Sequence, residues 1–375
     1  MGAREQAGDP EDVTLFLCGD VMTGRGIDQA LPHPSEPWIY EPYATSALDY
    51  VELAERANGP IPRPVDFAYV WGDLLEELDD RAPDRRIGNL ETSVTTSSQA
   101  EPKGINYRMH PANTGCLRAA GFDCLTLANN HVLDWGPQGL LETLETLDAA
   151  GIATAGAGRD GAEAASPAVL ALPAGRVLVF SFGASSSGIP ASWAAGDGRP
   201  GVELLPDLGG AAADRVAGRI DSRRRPGDLV VASIHWGGNW GYEIPRAHRE
   251  FARRLVDTAG VDVVYGHSSH HPKAIECYRD RPILYGCGDF IDDYEGISGY
   301  EDFRSDLVLA YLVTLSSSPR GLVRLAMVPF RVARLRLRRA ARADAEWLRR
   351  RLDRECRAFG SGVTLSADGT LALEA

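Results

Sequence analysis

The sequence predicts an α/β fold. Short apolar, β-branched runs recur along the chain, helical patterns stand between many of them, and polar residues of chemical interest fall where the apolar runs end. The runs are VTLFLCG (13–19), CLTLAN (124–129), RVLVFSFG (176–183), LVVASIHW (229–236), VDVVYG (261–266) and RPILYG (281–286). Each has the length and composition of a buried strand. PQGLLETLETLDAAG (137–151) opens with Pro137, closes at Gly151 and sets Leu140, Leu141, Leu144 and Leu147 on one face, as a helix lying on a sheet requires. PRAHREFARRLVDTAG (245–260) repeats the design with Phe251, Leu255 and Val256 inward. Strands alternating with helices place helices on the faces of sheets.

The tail differs in kind. DLVLAYLVTLS (306–316) and LVRLAMVPFRV (322–332) read as antiparallel strands, ADAEWLRRRLDRECRAFG (343–360) as a helix, and VTLSADGTLALEA (363–375) as a hairpin turning at Asp368-Gly369. A main domain over 13–340 is therefore expected, with 341–375 as a C-terminal helix and hairpin closing the same sheet. Residues 1–12 are expected to be disordered. Between the first strands lies an excursion over 31–80, rich in proline and aromatics. Trp38, Tyr40, Tyr43, Tyr69 and Trp71 either line a substrate groove, as long ordered loops often do, or form an apolar cluster over the sheet edge.

Composition narrows the function classes. The chain has 375 residues, 39 basic against 52 acidic, and a net charge of -13. That balance argues against nucleic-acid and anionic-membrane partners, which need a basic surface, and favours a cation or a neutral or basic substrate. No secretory apolar segment follows MGAREQAGDPED, and no run approaches the ~18 apolar residues of a membrane span, so a cytoplasmic protein is expected. The six cysteines show neither C-x-x-C nor zinc-finger spacing. Only Cys287, in YGCGDF, stands near other polar candidates.

The chemistry collects at the strand ends. Asp20 follows LFLCG, Asn89 and Glu91 follow RRIG, Asn130 and His131 follow LTLAN, His235 ends VVASI, and His267, His270 and His271 follow DVVYG. A lone strand-end Asp or His is commonly a turn or cap residue. Five such ends converging on one edge instead deliver a mixed oxygen and imidazole donor set to the place where α/β sheets bind ligands, suited to one or two divalent ions of Mn, Zn, Fe or Ca.

GDVMTGRGID, GNLETSV, ANNHVLDWGPQGLLETLETLDAAGI, SIHWGGNWGYEIP and GHSSHHPKAIECYRDRPILYGCGDFIDDYEG together resemble the successive motifs of the CapA-like family, named for poly-γ-glutamate capsule proteins and related to calcineurin-like metallophosphoesterases. The resemblance runs from about residue 13 to 330. It implies two mixed β-sheets sandwiched between helices, with a metal centre at the strand ends. It further implies that Asp20 binds one ion, that Glu91 bridges, that Asn130, His235 and His267 hold a second ion, that His270 returns to the first, and that His131 is the acid/base. Two departures matter. Met22 stands where the phosphoesterases have a histidine ligand, and the second histidine of the final motif comes one residue late, at G-H-S-S-H. One firmly bound ion with a weaker second is the expected result.

A chain of this kind without a membrane anchor resembles the lasso-peptide epimerases of that family. The resemblance implies a metal-dependent epimerase that inverts the α-carbon of the C-terminal residue, expected to be tryptophan, of a ribosomal precursor peptide. Lewis-acid stabilisation of an enolate-like state and a base on each face would serve that reaction. His131 serves one face, and His271, Lys273, Asp289 and Cys287, in that order, are candidates for the other. His271 is equally well an outward turn residue and Lys273 a solvated one. Arg25 either receives an anionic group or lies at the surface, while Trp38 and Trp71 are the aromatic contacts expected for a peptide. The competing readings are a metallohydrolase of a phosphoester or a γ-glutamyl-type amide, and a metal-dependent peptide binder without turnover.

Overall fold

In the first strand, Val13–Val21, alternate side chains enter different cores. Leu15 and Leu17 join the apolar cluster shared with a second sheet, while Phe16 and Cys18 join one built with helices on the opposite face. Period-two alternation with both faces apolar marks a strand covered on both sides. Each fully buried Leu or Phe contributes roughly 1.5–3 kcal/mol to holding the layers together. The computed structural model describes residues 12–374. The expected disorder of 1–12 therefore falls, Asp12 apart, outside the described residues.

The first sheet is mixed. Val13–Val21, Arg85–Leu90, Cys124–Thr126 and Ala153–Ala155 run parallel, and the antiparallel pair Leu307–Ser317 and Arg320–Val332 continues it on the other side. Strands Gly362–Leu365 and Leu371–Glu374 form a hairpin that adds to the Arg320–Val332 edge through Ala372 and Leu371. In the second sheet Gly175–Ala184, Leu229–His235, Val263–His267 and Arg281–Leu284 run parallel, flanked by antiparallel Ala168–Leu172 and Ile275–Tyr278. The Tyr265 hydroxyl donates to the Cys18 carbonyl, and Ser233 Oγ donates to Thr126 Oγ1 at 3.2 Å, so the two sheets meet directly near their carboxyl ends.

Helices cover the outer faces. Gly136–Ala149 buries Leu140, Leu144 and Leu147 but leaves Leu141 half-buried. Arg246–Ala259 buries Phe251, Leu255 and Val256 and stops at Gly260, whose φ of 56° is the left-handed cap that glycine adopts without strain. Among the described residues no helix is long and apolar enough to cross a membrane.

The excursion over 31–80 is largely helical, with helices at Leu48–Asn58 and Leu74–Arg81. It corrects one expectation outright. Trp71 is fully buried in the second core, its ring 5.6 Å from Phe122 and its Nε1 donating to the Cys116 carbonyl at 2.7 Å. An indole with its one polar atom satisfied and no exposed face is a packing residue. The Trp38 ring is exposed on the same excursion.

One glycine decides how the site is assembled. A Cβ at Gly19 would lie 1.7 Å from the Gly288 carbonyl oxygen, so only glycine lets the Cys287–Asp289 segment lie against the first strand. The Asp20 amide then donates to Gly288 at 3.0 Å, and Asp289 falls in register beside Asp20.

Candidate metal centre

Three strand ends bring the proposed ligands together. Asp20 lies in register with Asn89 and Asp289 at the end of the first sheet, and His235 with His267 at the end of the second. A further link between the sheets is the Ser268 amide, which donates to Asp20 Oδ2 at 3.0 Å from a residue held at φ 102°. A non-glycine residue in that conformation is strained, and such strain is characteristically kept at functional sites.

Asp20, His235 and His267 are fully buried, and one ligand atom from each lies within 4.8 Å of the others. Nδ1 of His267 is 3.7 Å from Asp20 Oδ1 and 2.7 Å from His235 Nδ1. His235 Nε2 faces Asn130 Oδ1 at 2.8 Å and Glu91 Oε1 at 3.8 Å. Burial makes the charged imidazole unfavourable, pushing His267 down to about 3 and His235 well below the usual histidine range, with the neighbouring His267 adding to the latter. Both rings are therefore neutral at pH 7, the state in which imidazole binds a metal.

The carboxylates show the opposite strain. Burial, and then the charge of Asp289, raise Asp20 to about 7, and burial and then Asp20 raise Glu91 well above its ordinary value. Glu91 Oε2 and Asp289 Oδ2 are buried with no hydrogen-bond partner. Several acids gathered in one dry pocket with orphaned oxygens are costly unless a cation neutralises them. A divalent ion fits this donor set. Asp20, His235 and His267 would hold it, with Glu91 and Asn130 adjoining.

A second arm lies beside the first. His270 Nδ1 pairs with Asp289 Oδ1 at 2.9 Å, and Asn239 Nδ2 contacts its Nε2 at 2.9 Å. Burial opposes the charge on His270, but Asp289 outweighs it and its pKa is raised. Met22 sits buried nearby, with the Tyr294 hydroxyl donating to its Sδ at 3.8 Å.

His131 is held as an acid/base would be. Its Nδ1 meets Asp134 Oδ2 at 2.6 Å, and its Nε2 points toward Glu91 Oε1 at 3.7 Å. Asp134 also accepts from the Tyr107 amide at 2.6 Å and from Lys103 Nζ at 2.7 Å, and Lys103 donates to the Asn130 carbonyl. Burial pushes His131 down to about 4 although Asp134 works against it. Asp134 and Lys103 were not singled out from the sequence. The signal for Asp134 was its spacing three residues after His131, whereas Lys103 reaches the loop from a distant segment.

The family model described as bacterial capsule synthesis protein PGA_cap matches residues 14–294. The chain belongs to the PGA_cap family. It is 49% identical to a probable polyglutamine synthesis accessory protein of Mycobacterium tuberculosis, with 97% of each chain covered. It is 30% identical to the PGA biosynthesis protein CapA of Bacillus subtilis over 80% of this chain and 67% of that one. The capsule biosynthesis protein CapA of Bacillus anthracis is 23% identical over 76% of this chain and 60% of that one. A solved phosphatase structure from Mycoplasma pneumoniae superposes on 85% of this chain and 93% of that one at a TM-score of 0.46 and 10% identity, too distant to bear on the reaction.

The remaining candidates of this PGA_cap chain sit elsewhere than expected. His271 is turned into an aromatic box, 4.4 Å from the Tyr242 ring and 4.7 Å from Phe303, with its Nδ1 against the Pro272 carbonyl and its Nε2 without a partner. It makes no hydrogen bond to the acidic cluster. Arg25 is neither at the surface nor open to an anion. It is buried between Glu41 Oε1 at 2.7 Å and Asp293 Oδ1 at 2.5 Å, under the Tyr50 ring. Lys273 is buried, which lowers its pKa, so it is not a solvated surface lysine. Cys287 is a core residue held in its thiol form by burial. The open space beside the centre is instead a cleft of about 150 Å³ between Tyr43, Tyr107, Trp240, Tyr294 and Tyr300, with His270 in its wall. Of these aromatics the sequence reading named only Tyr43.

Proposed function

We propose that this protein is a metal-dependent hydrolase that cuts the backbone amide of a polymer of glutamine or glutamate units as an accessory to its synthesis. The observation that carries the reading is the buried donor set of Asp20, His235 and His267 beside the His131–Asp134 pair. The names of the relatives, a polyglutamine synthesis accessory protein and PGA biosynthesis proteins, support the polymer. The imidazoles among the donors favour Zn, Mn or Fe over Ca. When bound, such an ion supplies Lewis acidity toward a carbonyl oxygen and lowers the pKa of water.

The chain's own residues do the rest. His131, neutral with its Nδ1–H donating to Asp134, presents the Nε2 lone pair on the side facing Glu91, where it takes the proton of the attacking water and passes it to the nitrogen of the broken amide. Asp134 fixes the tautomer by accepting from Nδ1, and Lys103 keeps Asp134 in place. Inversion of an α-carbon would need a second acid or base facing His131. His271 is a poor support for that role because its ring packs against Tyr242 and Phe303.

The test is incubation of the metal-loaded protein with tetraglutamine in ¹⁸O-labelled water, followed by mass spectrometry. One ¹⁸O in each newly formed carboxyl group, lost with a chelator and restored by Mn or Zn, is the expected result. Intact peptide under every metal, with a phosphodiester cut to a phosphomonoester and an alcohol instead, would replace the amide reading with the phosphoester one.

A further inference from the structure

The cleft beside the centre carries more information than its position, because its charges can be summed. Among the described residues two basic groups line it, Arg25 and His270. Arg25 is matched by two carboxylates, Glu41 and Asp293, which leaves that group one negative charge in excess. His270 is matched by Asp289. Of the cations near by, Lys103 is spent on Asp134, and Arg304, next to the lining residue Ser305, on Asp306 and Asp344. A divalent ion at the adjoining centre would be offset by the Asp20 and Glu91 carboxylates, so a chain of carboxylates entering here meets no cation in excess of its partners, and the surplus carboxylate of the Arg25 group repels it.

The walls offer something else. Trp240 and Tyr300 stack at 4.0 Å with their planes 8° apart, forming a flat slab next to His270, which is 5.2 Å from Trp240. Tyr107 and Tyr294 meet hydroxyl to hydroxyl at 2.6 Å, and Asn239 and Ser305 add further polar groups to the lining. Aromatic faces with hydroxyl and amide groups at their edges suit planar, uncharged amides, which stack on the rings and hydrogen-bond at the rim.

We infer that this cleft is a subsite for an extended polyamide whose side chains are neutral carboxamides, and that it discriminates against the same chain bearing carboxylates. The inference rests on the amide-hydrolase reading for the identity of the polymer but is tested by binding alone. Metal-loaded protein is titrated calorimetrically with tetraglutamine and with tetraglutamate at 0.05 and 0.5 M salt, and the recovered peptides are weighed for cleavage. Tetraglutamine is expected to bind at least ~10-fold more tightly at low salt, and tetraglutamate to gain affinity as salt screens the repulsion. Trp240→Ala should cost tetraglutamine several-fold to ~10-fold in affinity. Tyr300→Ala, at a residue 42% exposed, should do likewise and keeps the test open if the Trp240 variant does not fold.

Equal or tighter binding of tetraglutamate, or its weakening by salt, would overturn the inference. So would unchanged tetraglutamine affinity in a folded Tyr300→Ala variant. Selective binding without cleavage would sink the hydrolase reading and leave the subsite standing, whereas cleavage with no selectivity would do the reverse.

Discussion

Removing metal should destabilise the protein in a pH-dependent way whose sign follows from Asp20. In the metal-free fold this carboxyl is raised from 3.8 to about 7 by burial and by Asp289. An acid raised on folding favours the folded state only while it is protonated. Its contribution is complete below pH 4 and is lost as pH rises through about 7. At 1.36 kcal/mol per tenfold change in the proton equilibrium, the step is worth about 4 kcal/mol. For a chain of 375 residues that is about 5 °C in Tm. A bound divalent ion removes the penalty by holding the carboxylate ionised. Scanning calorimetry from pH 5 to 8, with chelator and with Mn or Zn, should show the two forms separating as pH rises, by about 5 °C at pH 8. Coincident curves at pH 8, or a separation larger at pH 5, would refute the reasoning.

Other outcomes follow from the same geometry. Asp134→Asn should lower kcat about 10- to 100-fold with metal content unchanged, because it frees the tautomer of His131 and leaves Lys103 unmatched. Equal loss of metal and rate would make Asp134 a structural residue instead. Met22→His should tighten a second equivalent of metal at least ~10-fold, read by titration against a chelating dye, since it returns an imidazole donor beside His270 and Asp289. Trp71→Ala should cost about 3–5 kcal/mol of stability, measured by denaturant unfolding, with metal affinity unchanged, as fits a core residue packed edge-on against Phe122 that supplies none of the donors.

Much of the metal arm was legible because strand ends are visible as ends of apolar runs. Asp20, Glu91, Asn130, His235 and His267 all lie where such a run stops, and the parallel register of His235 with His267 does the rest. The sequence could not show what side chains do after the strand ends. His270 and His271 are adjacent, yet one faces Asp289 and the other an aromatic box. Arg25 read as free because its partners, Glu41 and Asp293, lie 16 and 268 residues away. Trp71 and Tyr43 looked alike as aromatics of one excursion, and only packing against Phe122 and Phe290, distant in sequence, sets the first inward. Asp289 was a marginal candidate until the contact of Gly19 with Gly288 set it beside Asp20.

The most direct test uses one mass spectrum. Tetraglutamine is incubated in heavy water with metal-loaded protein, returned to ordinary water to exchange its labile hydrogens, and weighed. A metal-bound hydrolytic centre at Asp20, His235 and His267 predicts shortened chains with no deuterium fixed at carbon, and intact peptide after His267→Ala. Full-length peptide carrying one deuterium at an α-carbon would contradict the account and restore inversion as the reaction.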